Sequence, residues 1–185
     1  MSLNKEHQKI LLDLAYRSIE MGLKEGHPLS INLRDYPAEF AKQRATFVTL
    51  EKNHQLRGCI GMLEAVLPLA EDICENAYSA AFRDPRFDPV QASELKNLTL
   101  HLSILSPAEP ITFESEQDLI QKIRPHIDGL ILVSGGRRGT FLPSVWESIP
   151  TPSQFLKHLK QKAGLAKDYW SDQIKVFRYT TEVIE

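Results

Sequence analysis

Residues 45–63, ATFVTLEKNHQLRGCIGML, decide how the chain folds. Two β-rich segments, 45–51 and 56–63, flank the polar stretch KNHQ, a pattern that predicts an antiparallel hairpin closed by a short loop. The second strand sets Cys59 among Arg57, Gly58 and Gly61. Simple alternation puts Arg57 on the same face as Cys59, opposite Leu56 and Ile60.

On the N-terminal side, Ile10, Leu11, Leu14, Ile19 and Leu23 recur at helical spacing and predict a helix over residues 5–24. The linking stretch GHPLSINLRDYPAEF contains Pro28 and Pro37 and reads as loop with a short helix after Pro37. On the other side, Pro68 opens a helix carrying Leu69, Ile73 and Ala77, and the prolines of RDPRFDPV then impose an ordered loop. LTLHLSIL, residues 98–105, alternates as a strand. SEQDLIQKI is a helix capped by Ser115, and GLILVSGG is a strand running into the loop GGRRGTFLPSVW. Phe155, Leu156, Leu159 and Ala163 mark a helix that Gly164 ends, and a last strand covers 174–179. Hairpins and helices joined in this irregular order predict an α+β fold, a mainly antiparallel sheet flanked by helices. A chain of 185 residues is long enough for one full core, so residues 1–185 are expected to form a single compact domain, with room for two lobes.

A formal net charge of -2 excludes the global basic field with which many nucleic-acid binders hold a polyanion, although a local basic patch is compatible with it. Two cysteines, Cys59 and Cys74, are too few for a disulfide framework and suit a reducing compartment. The N-terminus lacks the basic start and apolar run of a signal peptide, and no apolar stretch reaches bilayer length. A soluble, cytoplasmic protein without membrane attachment is expected. The six histidines, at 7, 27, 54, 101, 126 and 158, show no metal spacing, and no phosphate-loop or dinucleotide fingerprint is present, so neither metal nor cofactor is expected.

Three groups of residues carry candidate chemistry. A thiol at Cys59 beside Arg57 and glycine amides has a physical route to a lowered pKa and to nucleophilic chemistry. Equally, a small apolar cysteine between Gly58 and Gly61 suits a strand on which another backbone packs closely. Arg83, Asp84, Arg86 and Asp88 in the proline-fixed loop suit bidentate binding of a carboxylate or phosphate, or else form an ion-paired corner. Gly135, Gly136 and Gly139 with Arg137 and Arg138 allow an anion to approach backbone amides and two guanidinium groups, or else form a turn with solvated arginines.

The motifs FVTL, LRGCIG, AAFRDPRFDPV, EL, GLIL, GRRGTFLP and FLKHLKQKAGL stand in the order of the AMMECR domain family, also called AmmeMemoRadiSam system protein A. The chain resembles that family from about Lys5 to its C-terminus. The resemblance implies an α+β fold with antiparallel sheet and a cytoplasmic protein, and it implies a Memo-like protein and a radical SAM protein as partners. It aligns Leu56 to Gly61 with the family's hallmark motif, and Asp84, Pro85, Arg86 and Phe87 with its DPRF element. His101 departs from a frequent acidic residue and Lys160 from a frequent cysteine, which weakens any scheme needing a carboxylate or second thiol there. Two readings follow. In one the chain is a binding or accessory component whose arginine loops grip a partner, an anionic small molecule or nucleic acid. In the other it is an enzyme with Cys59 as nucleophile and Arg57 lowering its pKa. Asp84, Arg86, Arg137, Arg138, Gly58 and Gly61 would then hold the anionic group of a nucleotide, RNA or metabolite. The first is favoured, because no general base is identifiable beside Cys59.

Overall fold

A computed structural model describes residues 3–185. Its helices are α1 (Lys5–Glu25), α2 (Leu69–Phe82), α3 (Glu116–Lys122) and α4 (Pro152–Lys162). Its strands are β1 (Thr46–Lys52), β2 (Gln55–Gly61), β3 (Leu98–Leu105), β4 (Glu109–Pro110), β5 (Gly129–Ser134), β6 (Arg137–Phe141), β7 (Lys175–Tyr179) and β8 (Thr181–Ile184). The strands form two four-stranded sheets, ordered β2-β1-β3-β8 and β4-β7-β5-β6. The pairings of β1 with β2 and β3, and of β7 and β6 with β5, are antiparallel, so the α+β expectation holds. The chain divides into two compact units: residues up to Leu105 together with Glu182–Glu185, and Ser106–Thr181.

In the first unit, α1 starts where the Asn4 side chain accepts the His7 N–H and stops at Gly26, whose φ of 77° is left-handed. The β1–β2 turn is tighter than the four-residue loop expected. Lys52 pairs with Gln55, leaving only Asn53 and His54, both at positive φ, to reverse the chain as in a type I′ turn. One face of β1 presents Val48 and Leu50 to the core, where they meet Leu11, Leu14, Ile19, Ile73 and Ala77 of the helices. Each large aliphatic side chain so buried contributes about 1.5–3 kcal/mol. Thr46 belongs to the same face and is fully buried. Its hydroxyl donates to Asp72 Oδ2 (2.6 Å), which also accepts from Asn76 Nδ2 (2.9 Å). Burial pushes the Asp72 carboxyl up to about 6.

The second unit packs α3, α4 and the turn 143–147 on its own sheet. Trp146 stacks on Phe155 with ring centroids 3.8 Å apart, and both are fully buried. Lys160, also fully buried, donates to Glu116 Oε1 (2.5 Å) and Lys167 O (3.4 Å), and its ammonium lies 5.6 Å from the Trp170 ring centre. Two expectations change here. The stretch after β5 is not loop throughout: Gly135 and Gly136, at φ 55° and 80°, reverse the chain, and Arg137–Phe141 pairs with β5 as a strand. The C-terminal strand β8 was not anticipated either; it joins the first unit's sheet beside β3.

Candidate functional site

The hairpin register determines what surrounds Cys59. Leu56 pairs with Glu51 but Gly58 pairs with Leu50, so Arg57 is an extra residue, a β-bulge. The bulge breaks simple alternation: Leu56, expected on the same face as Ile60, is 45% exposed, whereas Ile60 packs on the core. The same shift puts Thr49 opposite Cys59, and its hydroxyl donates to Cys59 Sγ at 3.2 Å.

Gly58 and Gly61 are sites of close approach. A Cβ on Gly58 would lie 2.1 Å from the Ala80 carbonyl oxygen of α2, and one on Gly61 would lie 2.3 Å from the Thr46 oxygen. The glycines therefore let α2 and β1 approach the strand closely.

Arg57 does not reach toward the thiol. Its fork is bidentate on Glu94, Nε to Oε1 at 3.1 Å and Nη2 to Oε2 at 2.9 Å. Lys52 Nζ (2.9 Å) and the Gln91 N–H (3.0 Å) add to the same carboxylate. Led by Arg57, these donors draw the Glu94 carboxyl down to about 2. Arg57 Nη1 is buried with no hydrogen-bond partner among the described residues.

The DPRF loop closes on the strand from the other side. Asp84, almost fully buried, accepts the Cys59 N–H at Oδ2 (2.9 Å), the Arg86 N–H at Oδ1 (3.1 Å), and the Arg86 guanidinium at both oxygens (2.9 and 2.6 Å). Arg86 Nη2 also donates to Cys59 O at 3.3 Å. The Arg86 fork holds the Asp84 carboxyl well below the usual carboxylate range. Both guanidinium groups are near the Phe87 ring, with Arg57 Cζ 6.0 Å and Arg86 Cζ 5.5 Å from its centre.

Of the candidate residues, Arg57, Gly58, Cys59, Gly61, Asp84 and Arg86 are thus interlocked within the first unit. Arg137 and Arg138 are on β6 of the second, where Arg137 donates to the Gly164 carbonyl oxygen. Glu94 and Thr49 are structural partners that the sequence reading did not single out. The EL pair at 94–95 was among the recognised motifs, but nothing in its spacing couples it to Arg57. Thr49 is identified only by the bulged register.

A family model described as AMMECR1 matches residues 12–184 of the chain. A protein of Methanothermobacter thermautotrophicus is 38% identical, over 98% of this chain and 95% of its own length. One from Thermotoga maritima is 40% identical, over 91% and 92%. Among solved structures, that of the uncharacterized protein PH0010 from Pyrococcus horikoshii superposes with a TM-score of 0.91 at 35% identity, covering 99% of this chain and 93% of that one.

Proposed function

We propose that this chain, which belongs to the AMMECR1 family, is a cytoplasmic binding or accessory component that works with a Memo-like protein and a radical SAM protein. In this reading Cys59 is part of the framework. The observation that carries it is the closed pairing around the thiol. Arg57 is committed to Glu94 and Arg86 to Asp84, and the hydrogen bond that Sγ receives comes from a threonine hydroxyl, which is no general base at neutral pH. The hallmark motif and the DPRF element then act together as a fastening between β2, α2 and the loop 83–90. The partners are those that the family resemblance implies. Binding energy is assigned to surface groups, with Arg137 and Arg138 the leading candidates for an anionic ligand or an acidic partner surface. Sedimentation velocity of the purified chain mixed with the Memo-like and radical SAM proteins of the same genome tests it. Association that survives Cys59→Ala and weakens in Arg137→Ala/Arg138→Ala is expected; absence of any association overturns it.

A second reading has a specific observation in its favour. Arg57 Nη1 is a buried donor without an acceptor, and Thr49 donates to Sγ as it would to a thiolate. In this reading an incoming anionic group takes Nη1 and Cys59 acts as the nucleophile. This reading requires alkylation of native Cys59 much faster than that of a free thiol.

A further inference from the structure

The second unit contains a cavity of about 390 Å³ where β4 parts from its neighbour. β4 pairs with β7 through Glu109 and Pro110 only, and the Ile111 N–H still donates to Val176 O at 2.9 Å. Beyond that bond the chain leaves for α3, which begins at Glu116. The departing residues 112–114 line the cavity on one stretch of chain, and residues 170–172 and 174–177 line it on the other. Ile111, Ile174 and Val176, all buried in the unit's core, give it an apolar floor.

Three half-buried aromatic side chains belong to the lining: Phe113, Trp170 and Phe177. The Phe113 and Trp170 rings meet at 55° with their centres 5.7 Å apart. Aromatic faces carry negative charge density and attract cations. The Trp170 ring already has one such neighbour, the Lys160 ammonium 5.6 Å from its centre. Glu116 neutralises that ammonium, so it brings no net charge to the cavity.

Three exposed charged residues complete the lining, Glu114, Asp172 and Lys175. None of the three side chains has an ion pair or hydrogen bond among the described residues. Two carboxylates against one ammonium leave an uncompensated negative charge beside the rings. This combination selects its guest. An anion meets two carboxylates, and an uncharged apolar guest takes water from those carboxylates with nothing in exchange. An ammonium that carries alkyl groups lays them on the rings and sets its charge against the acids.

We propose that this cavity binds a small alkylated ammonium ion of the choline type. Phe113, Trp170 and Phe177 receive its alkyl groups, Glu114 and Asp172 balance its charge, and Lys175 opposes it. The volume falls within the range of small-molecule sites. The site makes no use of Cys59, Arg137 or Arg138.

The test titrates the full chain with choline chloride at constant ionic strength and follows the two tryptophan indole signals in nitrogen–proton correlation spectra. Trp146, whose indole N–H donates to Asp128 O inside the core, is the internal control, and Trp170→Phe assigns the other signal. The Trp170 signal should shift saturably in the millimolar range while the Trp146 signal stays fixed. Dimethylbutanol, the uncharged isostere of choline, should bind at least ~5-fold more weakly. Glu114→Gln/Asp172→Asn changes only exposed side chains and should weaken choline at least ~3-fold, whereas Lys175→Gln should tighten it ~2-fold. The signs of these two effects distinguish a cation site from an anion site that reads Lys175. A Trp170 signal that does not shift saturably, dimethylbutanol bound as tightly as choline, an acid-free variant with unchanged affinity, or weaker binding in Lys175→Gln each overturns the proposal.

Discussion

Gly58→Ala tests the packing that holds the hallmark motif. The added Cβ would lie 2.1 Å from Ala80 O and 3.1 Å from Ala80 C, both backbone atoms of α2 that no side-chain rotation can move aside. A carbon–oxygen contact relaxes only near 3.3 Å, so α2 and β2 must separate by about 1 Å. Overpacking of this kind costs about 1–3 kcal/mol, and the upper end applies because α2 carries much of the first unit's core. Alanine recovers about 0.5–1 kcal/mol by restricting the unfolded chain, which leaves a net loss of about 2 kcal/mol. At roughly 2–4 °C per kcal/mol for a chain of this length, the melting temperature should fall by about 4–8 °C. Both tryptophans, Trp146 and Trp170, lie in the second unit, so fluorescence would report on the wrong part of the chain. Far-UV circular dichroism with hydrogen exchange at the α2 amides is the suitable assay. A loss below ~0.5 kcal/mol, the range of neutral surface substitutions, would refute the close-approach argument.

Three further perturbations test other parts of the framework. Because burial raises the Asp72 carboxyl from its ordinary 3.8 to about 6, the native state binds the extra proton in that window and this group's contribution falls as pH rises through it. Relative to Asp72→Asn, the native chain should lose on the order of 3 kcal/mol between pH 4 and pH 6.5 in parallel urea titrations; a flat difference contradicts it. Glu94 has the opposite sign. Drawn down from 4.5 to about 2, it stabilises the fold above about pH 4.5 and loses that contribution as pH falls toward 2, so the cost of Glu94→Gln should be full at pH 7 and vanish near pH 2. In the second unit, Glu116→Gln strips the buried Lys160 ammonium of its carboxylate and should cost about 3 kcal/mol by thermal melting, most of it recovered by adding Lys160→Met.

Local signals were legible where chemistry and periodicity agreed. The helix expected over 5–24 is Lys5–Glu25, and Ser115 caps α3 by accepting the Asp118 N–H. The strand expected over 98–105 is β3. What escaped was set by distant partners. The stretch 135–141 has the composition of a loop, three glycines and two arginines in seven residues, yet its last five form β6 because β5 lies beside them. β8 is four residues of a polar terminus that pair only because β3 is present. The bulge at Arg57 left no mark in the sequence. Continued from the turn without it, the register would set Cys59 opposite Val48, a core position, and hide the Thr49 contact. The sequence likewise brought the hallmark motif and the DPRF loop under suspicion together, but only their three-dimensional contact shows that Asp84 and Arg86 are spent on Cys59's own backbone.

The central claim is that the arginines around Cys59 serve the fold and leave the thiol unactivated. Its most direct test is the pH dependence of iodoacetamide alkylation of Cys59 in the native protein, read by mass spectrometry. Cys74 serves as the internal comparison, because burial pushes its thiol up to about 12. Cys59 should react at neutral pH no faster than a small free thiol, while Cys74 reacts only on unfolding. A native Cys59 that reacts ~10-fold or more faster than a free thiol, with a rate that has levelled off by neutral pH, would contradict it and make the thiol the centre of the protein's chemistry.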